Sequence, residues 1–133
     1  MAKIEDVHLL TSVFGRFPSF HDAEVRRINL IRKDVKVLPT LEAQIYVFEM
    51  TSEVREGRYV LKNESLVTLG FFEIDGLTVS DFNNQNVLQD LYIQVVSDRQ
   101  MENIKFDVSF EGLDGLDAKF SCRAVKVLSV TPI

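Results

Sequence analysis

Apolar and polar positions along the chain follow two periods. At the N-terminus Ile4, Val7, Leu10 and Phe14 recur three or four residues apart, the spacing of one helical face, and Gly15 follows as a stop. This predicts a helix over about residues 3–14. Beyond it the period is two. In 23–33, Ile28 and Leu30 oppose Arg27 and Asn29, and Val25 falls out of phase, which predicts a bulge near Arg26–Arg27. In 40–50, Leu41, Ala43, Ile45 and Val47 share one face, with Glu42, Gln44 and Tyr46 on the other. Residues 51–63 are polar and contain Gly57, and they read as a long loop or hairpin tip.

A further strand is predicted over 64–74, then a turn at Asp75–Gly76 and a short continuation through Leu77 and Val79. Residues 81–86 read as a loop anchored by Phe82. Strand pattern returns over 87–97 (Leu91, Ile93, Val95) and 103–111 (Ile104, Phe106, Val108, Phe110 inward). A hairpin at Gly112 and Asp114–Gly115 leads to a last strand from Asp117. In it Ala118, Phe120, Cys122 and Ala124 point inward, the phase slips at Ala124–Val125, and Pro132 closes the strand. No helical pattern lies between strands, so parallel crossovers are not expected. The expected fold is α+β and mostly β: an N-terminal helix packed on a twisted antiparallel sheet of about six strands, curled as a half-barrel or folded into two layers.

Composition narrows the picture. The chain has 133 residues, 46% hydrophobic and 26% charged, which fits one domain over 1–133 and is too apolar for disorder. A single cysteine, Cys122, excludes an internal disulfide and fits a reducing compartment. The start MAKIEDVHLL lacks the pattern of a signal peptide, and no apolar run reaches membrane-spanning length. A cytoplasmic protein without a membrane anchor is expected.

The net charge of −5 argues against nucleic-acid binding by phosphate neutralisation. Most of that charge lies in residues 38–100, at net −6, whereas residues 1–37 carry net +2. The acidic stretch reads either as a solvated surface or as a patch that steers a basic partner. Homodimers are open to the chain as well, since an edge strand could pair across a two-fold axis.

Candidate chemistry concentrates at the helix-to-strand junction, where Phe14, Phe17, Pro18, Phe20, His21, Asp22 and Glu24 fall close together. His21, Asp22 and Glu24 could bind a metal or exchange protons. The chain has only one other histidine, His8, and no zinc-hydrolase spacing. A structural reading is favoured. The aromatics wedge the helix onto the sheet, Pro18 fixes the turn, Asp22 accepts backbone N–H bonds, and His21 bonds a carbonyl. Cys122 reads as a small apolar core residue, and the amides Asn83, Asn84, Gln85 and Asn86 as partners of their own loop. No cofactor is expected.

FGRFPSFHDAEVRRINL resembles the opening motif of the immunity protein 50 family, an aromatic-Pro-x-Phe-His-Asp-x-Glu-Val run after a short helix. FNNQNVLQDLYI resembles a second feature of that family, and the ending from Ala124 to Pro132 fits it too. The matching positions are Phe17, Pro18, Phe20, His21, Asp22, Glu24 and Val25, then Phe82, Asn83, Gln85 and Asn86; Phe17 stands where many members carry Trp. The resemblance implies a small cytoplasmic binder that neutralises a bacterial toxin of a polymorphic-toxin system without catalysis. Its motifs are expected to hold the fold.

The leading expectation is therefore a non-catalytic protein that occludes a toxin's active site. The toxin would be a basic protein, met through the loop at 51–63 and the Asp75–Asp81 stretch, with Glu53, Glu56, Asp75 and Asp81 as contacts. The alternatives are an acid–base or metal-assisted enzyme using His21, Asp22 and Glu24, and a small-molecule carrier with an internal cavity of roughly 300 Å³ or more.

Overall fold

The computed structural model describes residues 3–96 and 104–133. The ends predicted at 97 and 103 for two strands lie outside these residues. Among the described residues there are one helix, α1 (His8–Phe14), and eight strands: β1 (Glu24–Ile31), β2 (Thr40–Arg55), β3 (Arg58–Phe72), β4 (Asp75–Ser80), β5 (Leu88–Val95), β6 (Phe106–Gly112), β7 (Asp117–Cys122) and β8 (Ala124–Pro132). Two four-stranded antiparallel sheets result, in the orders β1-β2-β3-β8 and β4-β7-β6-β5. The expected mostly β, α+β architecture is the observed one, in its two-layer form.

The inner faces are the ones the alternation marks. Leu41, Ala43, Ile45, Val47, Val67, Leu69, Phe71, Val125 and Val127 of the first sheet meet Leu88, Leu91, Phe106, Val108, Phe110, Ala118, Phe120 and Cys122 of the second in one buried cluster. Phe71 lies edge-on to Phe110 and Phe120, with centroids 5.8 and 5.1 Å away, an aromatic geometry that fills the interior with its own side chains. Burial pushes the Cys122 thiol up to about 12, consistent with an inert core position.

Several expectations change. The helix is half the predicted length, because the chain before it is extended beside β8. Glu5 N–H donates to the Val125 carbonyl at 2.8 Å, and its carbonyl accepts from Val127 N–H at 2.9 Å. This covers part of the β8 edge, where unpaired backbone groups would otherwise face solvent. Ile4 still packs on the core, but from outside the helix. Leu30 shares the face of Ile28 as expected but is exposed, because it lies on the outermost strand of its sheet.

Residues 51–63 are not a loop. They continue β2 and β3 as a ribbon joined by the two-residue turn Glu56–Gly57, with φ of 51° and 77°. Both turn positions need left-handed backbone, the geometry that matches strand twist in a tight hairpin, and glycine adopts it without strain. Beyond Phe48 and Asn63 no third strand joins this ribbon among the described residues: β1 pairs only as far as Tyr46, and β8 only as far as Ser65.

The strand count rises because the last predicted strand divides between the sheets and the short continuation through Leu77 and Val79 is a strand of the second sheet. At Glu73, with φ of 53°, the chain leaves β3 and crosses to β4; at Arg123 it leaves β7 and crosses to β8. The expected turn at Asp75–Gly76 is instead the start of β4. The phase slip at Ala124–Val125 marks the second crossing, not a bulge, and Ala124 faces outward opposite Phe72. The bulge near Arg26 is present, between Val25 and Arg27.

Candidate functional site

The two sequence motifs, about sixty residues apart in the chain, form one seam between the sheets. Asp22 N–H donates to the Leu88 carbonyl (2.9 Å), Leu88 N–H to the Ala23 carbonyl (2.8 Å) and Val25 N–H to the Asn86 carbonyl (2.9 Å). Asn86 is the centre of the seam. Its amide nitrogen donates to the carbonyls of Asn83 (2.8 Å) and Val25 (3.3 Å), and its amide oxygen accepts from the N–H groups of Asn83 (2.9 Å) and Leu116 (3.3 Å). The side chain is 3% exposed and every polar atom is satisfied, so it serves three backbone segments at once.

Gly115, at φ of 150°, lets the facing hairpin approach: a Cβ there would stand 2.7 Å from the Gln85 carbonyl oxygen. Phe82, the expected anchor of this loop, is 47% exposed, and Asn86 holds the loop instead. The reason is that the chain here needs backbone partners more than apolar area.

In the first motif Phe14, Pro18 and Phe20 are buried, and Phe17, more exposed, leans on Phe20 with centroids 5.7 Å apart. His21 is exposed, and its Nδ1 lies 2.7 Å from the Gln89 carbonyl, the imidazole–carbonyl bond expected. Its Nε2 is 3.7 Å from the Asp22 carboxylate. The bond to Gln89, then the charge of Asp22, raise the His21 pKa above 6.5. Asp22 does not bond backbone N–H through its carboxylate as expected; it takes left-handed backbone at φ of 67° and turns the chain into β1.

Glu24 faces the outer side of the first sheet beside Arg26 (3.4 Å), whose guanidinium stacks 4.6 Å over the Tyr46 ring. Tyr46 donates a short hydrogen bond to Glu64. Burial, then that bond, push its hydroxyl up to about 12. Among the described residues no three of His, Cys, Asp and Glu are grouped to hold a metal ion.

An open cleft of about 450 Å³ separates this motif from the base of the ribbon, lined by Arg16, Pro18, His21, Asp22, Phe48 and Met50 among others. At its edge Glu49 accepts from Asn63 (2.7 Å) and lies 3.7 Å from Lys62 and 3.9 Å from Arg16. The carboxylate is thus answered from within the chain.

The four carboxylates expected to meet a partner fall in two places. Glu53 and Glu56 sit at the ribbon tip, where Arg55 pairs with Glu53 at 2.7 Å. Asp75 opens β4 past the far end of β3, up to about 45 Å from the tip at 3.3 Å per residue. Asp81 follows β4 at once, at φ of 59°. Sequence reasoning passed over the outward row Asp90, Glu111 and Asp117 on β5, β6 and β7. The alternation that places Leu91, Phe110 and Ala118 inward puts these carboxylates outward, and only the strand register aligns them.

Among the described residues no helix is long and apolar enough to cross a membrane. No curated protein and no solved structure matches the chain. The family model described as Immunity protein 50 matches residues 6–133, so the chain belongs to the immunity protein 50 family.

Proposed function

We propose that this protein neutralises a bacterial toxin by binding it in the cytoplasm and covering its active site, with no chemistry of its own. The observation that carries this reading is the family match across 6–133, since the name of the family denotes immunity to a toxin. The geometry of the motif supports it. His21 bonds a backbone carbonyl, Glu24 pairs with Arg26, and Asn86 is saturated by backbone groups. These side chains stitch the sheets together and do not converge on a reacting atom, as acid–base catalysis requires. The carrier alternative has no observation in its favour, because the aromatic interior packs on itself.

The test is co-expression with the toxin encoded beside its gene. Cells carrying both should survive, and the two proteins should elute together at fixed stoichiometry. His21→Ala should protect as well as the natural protein wherever it folds. Protection without a complex, or protection lost in a folded His21→Ala protein, overturns the reading.

A further inference from the structure

The outer face of the second sheet differs from every other surface described. On the first sheet, outward Glu24, Glu42 and Glu64 share the face with Arg26, Arg27 and Lys126, of which Arg26 pairs with Glu24 and Lys126 with Asp6 at the edge. On the ribbon, Glu49, Glu53 and Glu56 are matched by Arg55, Arg58 and Lys62. The second sheet instead turns Asp75, Asp90, Glu111 and Asp117 outward against Lys119 and, just before β6, Lys105. Asp107 lies there too, accepting from the Ser121 hydroxyl at 2.8 Å, and is not counted. The remaining outward positions include Thr78, Ser80, Gln94, Ser109 and Ser121, which carry no charge, and Asp75, Asp90 and Asp117 accept only local backbone N–H bonds, from Gly76, Leu91 and Gly112, which leave their charge in place.

A second observation is independent of the charge count. Asp90 and Glu111 are direct cross-strand partners in the β5–β6 pair. Like charges in that relation destabilise a sheet, so the fold gains nothing from the pairing. Beside them Tyr92 is 47% exposed, and the charges of Asp90 and Glu111 raise its hydroxyl pKa above 10, a local sign of negative potential. Next to Tyr92, an open cleft of about 290 Å³ reaches Glu111 and Lys119. A flat acidic field around one aromatic anchor suits long cationic side chains, which gain charge pairs and lay their stems on the ring.

We propose that this face receives the toxin, and that the toxin meets it with a protein surface rich in Lys and Arg. This rests on the reading that the chain binds a toxin, and it moves the contact away from the ribbon. Asp90, Glu111 and Asp117 steer the approach, Tyr92 anchors the docked partner, and stability is given up at the Asp90–Glu111 pair to keep the field.

The test compares Asp90→Asn/Glu111→Gln with Glu53→Gln/Glu56→Gln. At about 50 mM salt the first pair should slow association with the toxin about tenfold and converge on the natural rate near 0.5 M, while the second stays within about twofold. The first pair should also raise Tm, because it removes a like-charge pair. An unchanged association rate, or a larger loss from the ribbon pair, overturns the assignment and leaves toxin binding standing.

If the natural protein does not bind the toxin, the functional reading falls. A deca-lysine peptide then decides the surface. Its amide shifts should concentrate at Tyr92, Gln94, Ser109 and Lys119; shifts spread equally over both sheets overturn the proposal.

Discussion

Asn86 carries more of this fold than any charged residue in the motifs. Its four hydrogen bonds tie a loop, a hairpin and β1 together in a place where water cannot replace them. Asn86→Ala would leave several of those backbone groups without partners, and we expect a loss of about 2–4 kcal/mol in urea unfolding. His21 acts at the same seam but in solvent. Its pKa is raised in the folded state, first by the Gln89 carbonyl and then by Asp22. The stability it contributes is therefore present in full below pH 6.5 and is lost as pH rises through the raised value. An imidazole titration by NMR should give a midpoint above 6.5 that falls in Asp22→Asn without returning fully, since the Gln89 bond remains. The bond of His21 was legible from sequence, because a His-Asp pair at a strand entry has few other uses. The hub role of Asn86 was not, because all three amides beside it have the same turn-forming composition.

At the level of elements, a period of two found the strands but not their partners. The second sheet change occurs inside a stretch that keeps alternating, so β7 and β8 read as one strand, whereas the turn predicted at Asp75–Gly76 parts β3 from β4 just after the first crossing. The left-handed Glu73 and the break at Arg123 separate the layers, and the slip at Ala124–Val125 was the one trace of the second crossing in the sequence. The ribbon was missed for the opposite reason. With no layer on either side among the described residues it needs no apolar face, and a polar strand looks like a loop. Two-stranded ribbons hold together weakly in water. Replacing Thr51–Val60 by Asn-Gly, which joins the paired residues Met50 and Leu61, should leave Tm within a few degrees of the natural protein in a thermal melt. A collapse of Tm would mean that the ribbon supports the core.

Across the whole molecule, charge has been sorted by surface and not by sequence. The acidic middle of the chain appeared to place its field on the ribbon and on Asp75–Asp81. The ribbon turns out balanced, and the unmatched carboxylates gather on a sheet whose strands come from both the middle and the end of the chain. A tally along the chain cannot see this, since register decides which acids become neighbours. Net −5 is therefore a weak description of a molecule with one strongly negative side.

The two crossings lie side by side: Arg123 N–H donates to the Phe72 carbonyl at 3.0 Å, so the corner through β3 and β4 is clasped to the corner through β7 and β8. The second layer is thereby one continuous stretch, β4 to β7, set between two neighbouring strands of the first, β3 and β8. Both ends of that layer leave from adjacent strands, so two junctions lying side by side bound the whole second sheet, and a recombination event that exchanges the segment between them replaces one wall of the molecule and leaves the four strands of the other in place.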